Sequence, residues 1–196
     1  MKNLVLLFLF CLACSLTGKT QCEIAIDTTD EFDTTRMIAS LPIKIGNLVP
    51  TKNLSEDLNG QPLADEAKVM VSYAESEKRV RSFFLTLAVI EHRFLRIENG
   101  QNVYLKLSNG QIVKLYNVPD NGELKRDIIM WQYQHTCVIP LEVYHLLKNN
   151  FVEKIRINYL QAKRTIVLDE QQQVALQEAI KCVEERLRGS SEIIKP

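Results

Sequence analysis

From Lys68 to Val138 the chain is dominated by short runs in which apolar and polar residues alternate, the period of half-buried strands. Lys68–Ala74 and Val80–Ile90 flank the polar stretch Glu75–Lys78, which predicts a hairpin. Four of the seven glycines follow an asparagine, at 60, 100, 110 and 122, and Asn-Gly marks a tight turn because both residues tolerate positive φ. The natural reading of this stretch is a β-meander. One register is specified: a three-residue loop Ser108-Asn109-Gly110 pairs Leu105 with Val113 and Val103 with Leu115, placing all four on one face. Asp127–Val138 predicts another strand, with Ile129, Trp131, Tyr133, His135 and Cys137 on one side.

Pro140 then opens a short helix whose apolar positions are Val143, Leu146 and Leu147, ending at Asn149-Asn150. Phe151–Tyr159 alternates again, with Ile155, Ile157 and Tyr159 opposite Lys154, Arg156 and Asn158. After a short strand at Thr165–Leu168, Asp169 and Gln172 have the spacing of a capping box. The last helix carries Leu176, Ala179, Ile180, Val183 and Leu187 on one stripe, suited to packing on a sheet. The N-terminal part is patchier: strands are expected at Glu23–Ile26 and Met37–Ile45, and Pro50–Glu66 reads as a surface loop. The fold class is α+β, a mainly antiparallel β-meander sheet with a short helix and a C-terminal amphipathic helix packed on it.

Composition changes this picture little until the first residues are read. The whole chain has 196 residues, 24 Lys plus Arg against 24 Asp plus Glu, and 46% hydrophobic residues. That balance excludes a polycationic nucleic-acid binder or an acidic tail protein. However, Met1-Lys2-Asn3 followed by the apolar Leu4–Leu16 has the order of a secretory leader and is too short to span a bilayer. Residues 1–20 are therefore expected to be a signal peptide, 21–66 an N-terminal strand and loop segment, and 67–196 the α+β core of the same domain. Two cleavage points stand. Leu12-Ala13-Cys14 resembles the end of a lipobox, which would make Cys14 an acylated N-terminus and anchor the protein to a membrane. Ordinary cleavage near 20/21 would release it instead. Either removes basic residues only, so the mature chain is slightly acidic, and about 180 residues remain to bury a core.

Candidate chemistry is sparse. His135 and Cys137 share a strand face and His145 follows, so a Cys137 thiolate with His135 or His145 as base is one catalytic reading. A packed cysteine beside a satisfied histidine is the commoner meaning of that pattern. His92, His135 and His145 with the scattered cysteines have no zinc-site spacing, and no metal or cofactor is expected. Export permits disulfides, and a Cys137–Cys182 bridge would tie the last helix to the sheet for about 3–4 kcal/mol. Lys106, Lys114, Lys154 and Arg156 would form a basic stripe if their strands were neighbours, suited to anionic glycan, headgroup or nucleic acid. Alternating lysines also mark an ordinary solvated face or guarded edge. The acidic Asp27–Asp33 run lacks calcium-loop spacing and reads as a solvated turn. Asn53-Leu54-Ser55 is a glycosylation sequon, meaningful only in a eukaryotic host.

The leader, the stretch Asp30-Glu31-Phe32-Asp33-Thr34-Thr35-Arg36, the run NVYLKLSNGQIVKLY from Asn102 to Tyr116, Pro140-Leu141 to Asn150, and Val152–Ile157 together resemble a group of small exported proteins of Bacteroidetes-type bacteria. Those proteins are mostly hypothetical or domains of unknown function. The resemblance implies compartment (periplasm, outer-membrane anchor or cell surface) and carries no reaction. The expectation is a non-enzymatic binding, structural or accessory domain of the cell envelope. Its partner would be another envelope protein or a glycan, with no nucleic acid and no membrane contact beyond an N-terminal lipid. The alternatives are an exported Cys/His enzyme and an inhibitor- or immunity-like partner protein.

Overall fold

A computed structural model describes residues 23–52, 63–78 and 80–191. The leader, Cys14 and the Asn53 sequon lie outside them. Eleven strands form one antiparallel sheet: β1 (Ile24–Thr29), β2 (Arg36–Ser40), β3 (Ile43–Pro50), β4 (Leu63–Glu75), β5 (Arg81–Glu91), β6 (Gly100–Leu107), β7 (Ile112–Pro119), β8 (Glu123–Lys125), β9 (Met130–Ile139), β10 (Val152–Asn158) and β11 (Lys163–Val167). Two helices accompany it among the described residues, α1 (Leu141–Asn149) between β9 and β10 and α2 (Glu170–Ser191) after β11. Among the described residues no helix is long and apolar enough to cross a membrane.

Local structure follows the pattern closely. The β6–β7 hairpin pairs Val103 with Leu115 and Leu105 with Val113, and Gly110 sits at φ +85° as the three-residue loop demands. Asp169 Oδ1 accepts the Gln172 N–H at 2.8 Å while Gln172 Oε1 accepts the Asp169 N–H at 3.2 Å, a reciprocal capping box. The acidic run is the β1–β2 turn: Asp30 and Asp33 carboxylates accept backbone N–H groups at Phe32 and Thr35, and Asp27 pairs with Arg36 and Arg186.

The β-meander is corrected. The strand order is β1-β2-β4-β5-β9-β7-β6-β10-β11, with β3 also on β4 and β8 on β9. After β5 the chain does not turn back on itself; β5 pairs with β9 from Phe83 opposite Ile139 to Glu91 opposite Trp131. The intervening segment is pinned across the sheet end. Leu95 is buried and its N–H donates to the Tyr133 hydroxyl, while the Arg96 carbonyl accepts the Leu160 N–H. Asn99-Gly100 therefore ends a crossing, not a hairpin. Two smaller expectations also change. Ile129 is an exposed turn residue at φ +52° rather than part of the β9 inner face. β4 begins at Leu63, inside the supposed loop, and buries Glu66.

The sheet curls until β11 lies beside β3, where a Cβ on Gly46 would stand 2.9 Å from Ile166 Cγ2. α2 lies against β2, β3, β4 and β10 and buries Leu176, Ala179, Ile180 and Val183. These join Ile38 and Ile45 from the N-terminal segment and Leu85, Leu105 and Ile155 in a single apolar core. α1 is held to α2 by the Tyr144 hydroxyl donating to the Ile180 carbonyl and by the Lys148–Glu184 ion pair.

Candidate functional site

β9 directs His135 and Cys137 inward as alternation requires, and both are fully buried. Burial pushes the Cys137 thiol up to about 12 and the His135 imidazole down to about 4. Cys137 Sγ lies 3.8 Å from Asn117 Oδ1. His145 is on the exposed side of α1 beside Tyr144, so the structure does not bring the three candidate catalytic residues together. A thiol that remains protonated and sealed from solvent is not an activated nucleophile. The expected Cys137–Cys182 bridge is also corrected: Cys137 is free, whereas Cys182 is disulfide-bonded. Cys182 lies on the side of α2 that, with Glu23, Ser40 and Leu41 of the β1–β2 end, lines a surface groove, while Cys137 faces the sheet interior. Among the described residues no three His, Cys, Asp or Glu side chains come together as a metal site.

His135 instead belongs to a buried polar chain. Asn117 Nδ2 is 3.2 Å from His135 Nδ1 and also donates to Asn102 Oδ1. That leaves the neutral imidazole its Nε2–H, 3.3 Å from the Tyr159 hydroxyl, and Tyr159 is hydrogen-bonded in turn to Glu91. Arg164 of β11 completes the line, 2.7 Å from Glu66 and 4.0 Å from Glu91. Desolvation raises the Glu91 carboxyl above its usual range, against the pull of Arg164 and Tyr159. Sequence reasoning missed Asn117, Glu91 and Arg164. Strand parity held the signal for the first two: Asn117 continues Val113 and Leu115, and Glu91 continues Leu87 and Val89.

The opposite, outer face of β7, β6, β10 and β11 gathers the basic stripe. β10 pairs with β6 so that Lys154 stands opposite Lys106 and Arg156 opposite Tyr104; β7 sets Lys114 opposite Tyr104; β11 sets Thr165 opposite Arg156 and Lys163 opposite Asn158. Two like charges directly opposite on neighbouring strands are destabilising. The β10 bulge at Val152–Lys154 brings one carboxylate to this row, Glu153, which pairs with Lys106 at 2.8 Å. Among the described residues Lys114, Lys154, Arg156 and Lys163 have no carboxylate partner. Arg156 Nε donates to Thr165 Oγ1 at 3.0 Å, and the Lys114 ammonium lies 5.5 Å from the Tyr104 ring centroid. Lys106, Lys154, Arg156 and Lys163 line a groove of about 260 Å³ with Ile112 on one flank.

Such a face can hold an anion by charge-assisted hydrogen bonds. No protein family, no curated protein and no solved structure matches the chain.

Proposed function

We propose that this chain is an exported, non-enzymatic binding protein of the bacterial cell envelope that engages its partner through the cationic face of β7, β6, β10 and β11. One observation carries the reading: in a chain of zero formal net charge, five cations share one sheet face with, among the described residues, a single carboxylate, and two of them stand directly opposite each other. Glu153 offsets this repulsion only at Lys106, and an arrangement that lowers stability with so little internal compensation supports a surface kept for binding. Export rests on the leader and on the resemblance drawn from sequence. The disulfide at Cys182 supports an oxidising compartment. The sealed Cys137 removes the specific support the enzyme alternative had.

The test uses the full chain with its own leader, produced in a Gram-negative host. Fractionation is expected to place it outside the cytoplasm, and palmitate labelling at Cys14 separates lipid anchoring from soluble release. Mature chain is expected to co-sediment with isolated envelopes, and Lys154→Glu with Arg156→Glu is expected to lower that fraction several-fold at moderate salt. Cytoplasmic retention, or co-sedimentation indifferent to the charge reversal, overturns the reading.

A further inference from the structure

Resting on that reading, we propose that the groove on this face binds a carboxylate-bearing polysaccharide, one uronic-acid unit seated between Arg156 and Lys154 and its neighbours running across the strands. Three features of the groove select this chemistry.

The first is the disposition of charge. Arg156 spends its Nε on Thr165 Oγ1, which fixes the plane of the guanidinium and leaves its outer N–H edge for a carboxylate. Lys106 and Lys154 face each other one strand apart, and Lys163 lies on the next strand beyond Asn158. Only Lys106 and Lys154 stand at the ~4.8 Å spacing of neighbouring strands. Arg156 lies two residues further along β10, and Lys163 is set beyond it on β11. The charges therefore spread over the face in two directions, with Lys106 already paired to Glu153, and a branched or folded-over polyanion chain can meet several of them.

The second is an acceptor without a donor. Asn158 Oδ1 is buried in the groove wall and has no hydrogen-bond partner. A carbonyl oxygen buried without a donor costs stability, and a turn of the Asn158 amide toward the groove lets a ligand hydroxyl supply one. Sugars bring hydroxyls beside each carboxylate, whereas a lipid phosphate offers mostly acceptors; a peptide also carries N–H donors, and the poly-glutamate arm below separates it.

The third is the apolar content. Ile112 is largely exposed at the groove flank and can meet the C–H face of a sugar ring. The Tyr104 ring, which a nucleobase would need as a stacking platform, carries the Lys114 ammonium over it.

Calorimetric titration of the mature chain with polygalacturonate tests the proposal, with its methyl ester, a single-stranded oligodeoxynucleotide, phosphatidylglycerol vesicles and poly-glutamate as comparison arms. Polygalacturonate is expected to bind with affinity that falls as salt rises, and the neutral ester is expected to lose at least tenfold. Arg156→Ala with Lys154→Ala is expected to lose at least tenfold, and Asn158→Ala several-fold. Lys125→Ala, whose lysine pairs with Glu123 away from the groove, is expected to bind as wild type. Thermal melts confirm that each variant is folded; should Asn158→Ala fail, Asn158→Ser replaces it. Binding of oligonucleotide, vesicles or poly-glutamate as tight as that of polygalacturonate overturns the sugar assignment, as does polygalacturonate binding unmoved by the Arg156 and Lys154 changes. If envelope co-sedimentation depends on the charged face yet polygalacturonate does not bind, the sugar inference fails alone and the binding function stands.

Discussion

Cys137 shows how little a side chain's identity says without its surroundings. A thiol two residues from an imidazole looks reactive in sequence, yet alternation turns both into the interior, where the thiol meets an amide oxygen and the imidazole a tyrosine hydroxyl. Burial disfavours the thiolate, and with its pKa near 12 almost no thiolate exists at neutral pH. Native protein treated with an aromatic disulfide reagent is therefore expected to leave Cys137 unmodified, as read by peptide mass spectrometry, over a period in which urea-unfolded chain is labelled to completion. The labelling rate across urea is expected to follow unfolding. Rapid native labelling at Cys137 would reopen the thiol-enzyme reading.

Among the elements, α2 joins the two ends of the chain through one side chain. Gln172 closes the capping box with Asp169 and also reaches β3, where its Oε1 accepts the Gly46 N–H at 3.1 Å and its Nε2 donates to the Gly46 carbonyl at 2.9 Å. Gly46 is at φ +76°, and a Cβ there would lie 2.3 Å from the Glu66 carboxylate, so this close approach requires glycine. Asp169→Ala is expected to cost about 1 kcal/mol, the usual worth of a cap. Gln172→Ala, which also strands the Gly46 groups, is expected to cost about 2 kcal/mol by urea unfolding; equal losses would mean the β3 contact contributes nothing. The capping box was legible in sequence because its partners are three residues apart, and so was the β6–β7 register, fixed by one short loop. The Gly46 clasp was not, since its partners are 126 residues apart. The same distinction governs the site. Alternation identified Lys106, Lys114, Lys154 and Arg156 as outward-facing, but only the β6–β10 pairing makes them neighbours. The crossing from β5 to β6 misled the strand order because Asn99-Gly100 has the local signature of a hairpin, while what decides the path is Leu95 docking into a core built from distant strands.

At the scale of the whole molecule, the line from Asn117 through His135 and Tyr159 to Glu91 places two oppositely perturbed titrating groups in one interior, and their effects on stability run in opposite directions with pH. His135 has a folded pKa of about 4 against 6.5 for the free side chain. The unfolded chain therefore takes up a proton first as pH falls. Stability from the neutral imidazole is fully present above pH 6.5 and is lost towards pH 4, about 3 kcal/mol in all. Glu91 is raised above 4.5 by desolvation, so the folded state holds its proton more tightly than the unfolded one. Its contribution is fully present below pH 4.5 and is lost as pH rises through the folded value. The carboxylates held low by ion pairs or hydrogen bonds, Asp27, Glu75 and Glu184, act only below about pH 4.5. Between pH 6.5 and 4.5 the slope thus reports on the buried pair, with the histidine loss partly offset by the glutamate gain. Urea unfolding at steps from pH 7.5 to 4.5 is expected to show a shallow fall in wild type, a flat or rising profile in His135→Gln, and a steeper fall in Glu91→Gln. The last variant is also expected to exceed wild type at pH 7.5, where it removes a desolvated charge, and to converge with it near pH 4.5. Because Tyr159 bonds both residues, the double variant should depart from the sum of the singles. A slope unchanged by His135→Gln would mean that folding does not shift the imidazole's titration, and with it the buried, neutral Nε2–H link to Tyr159 would fall.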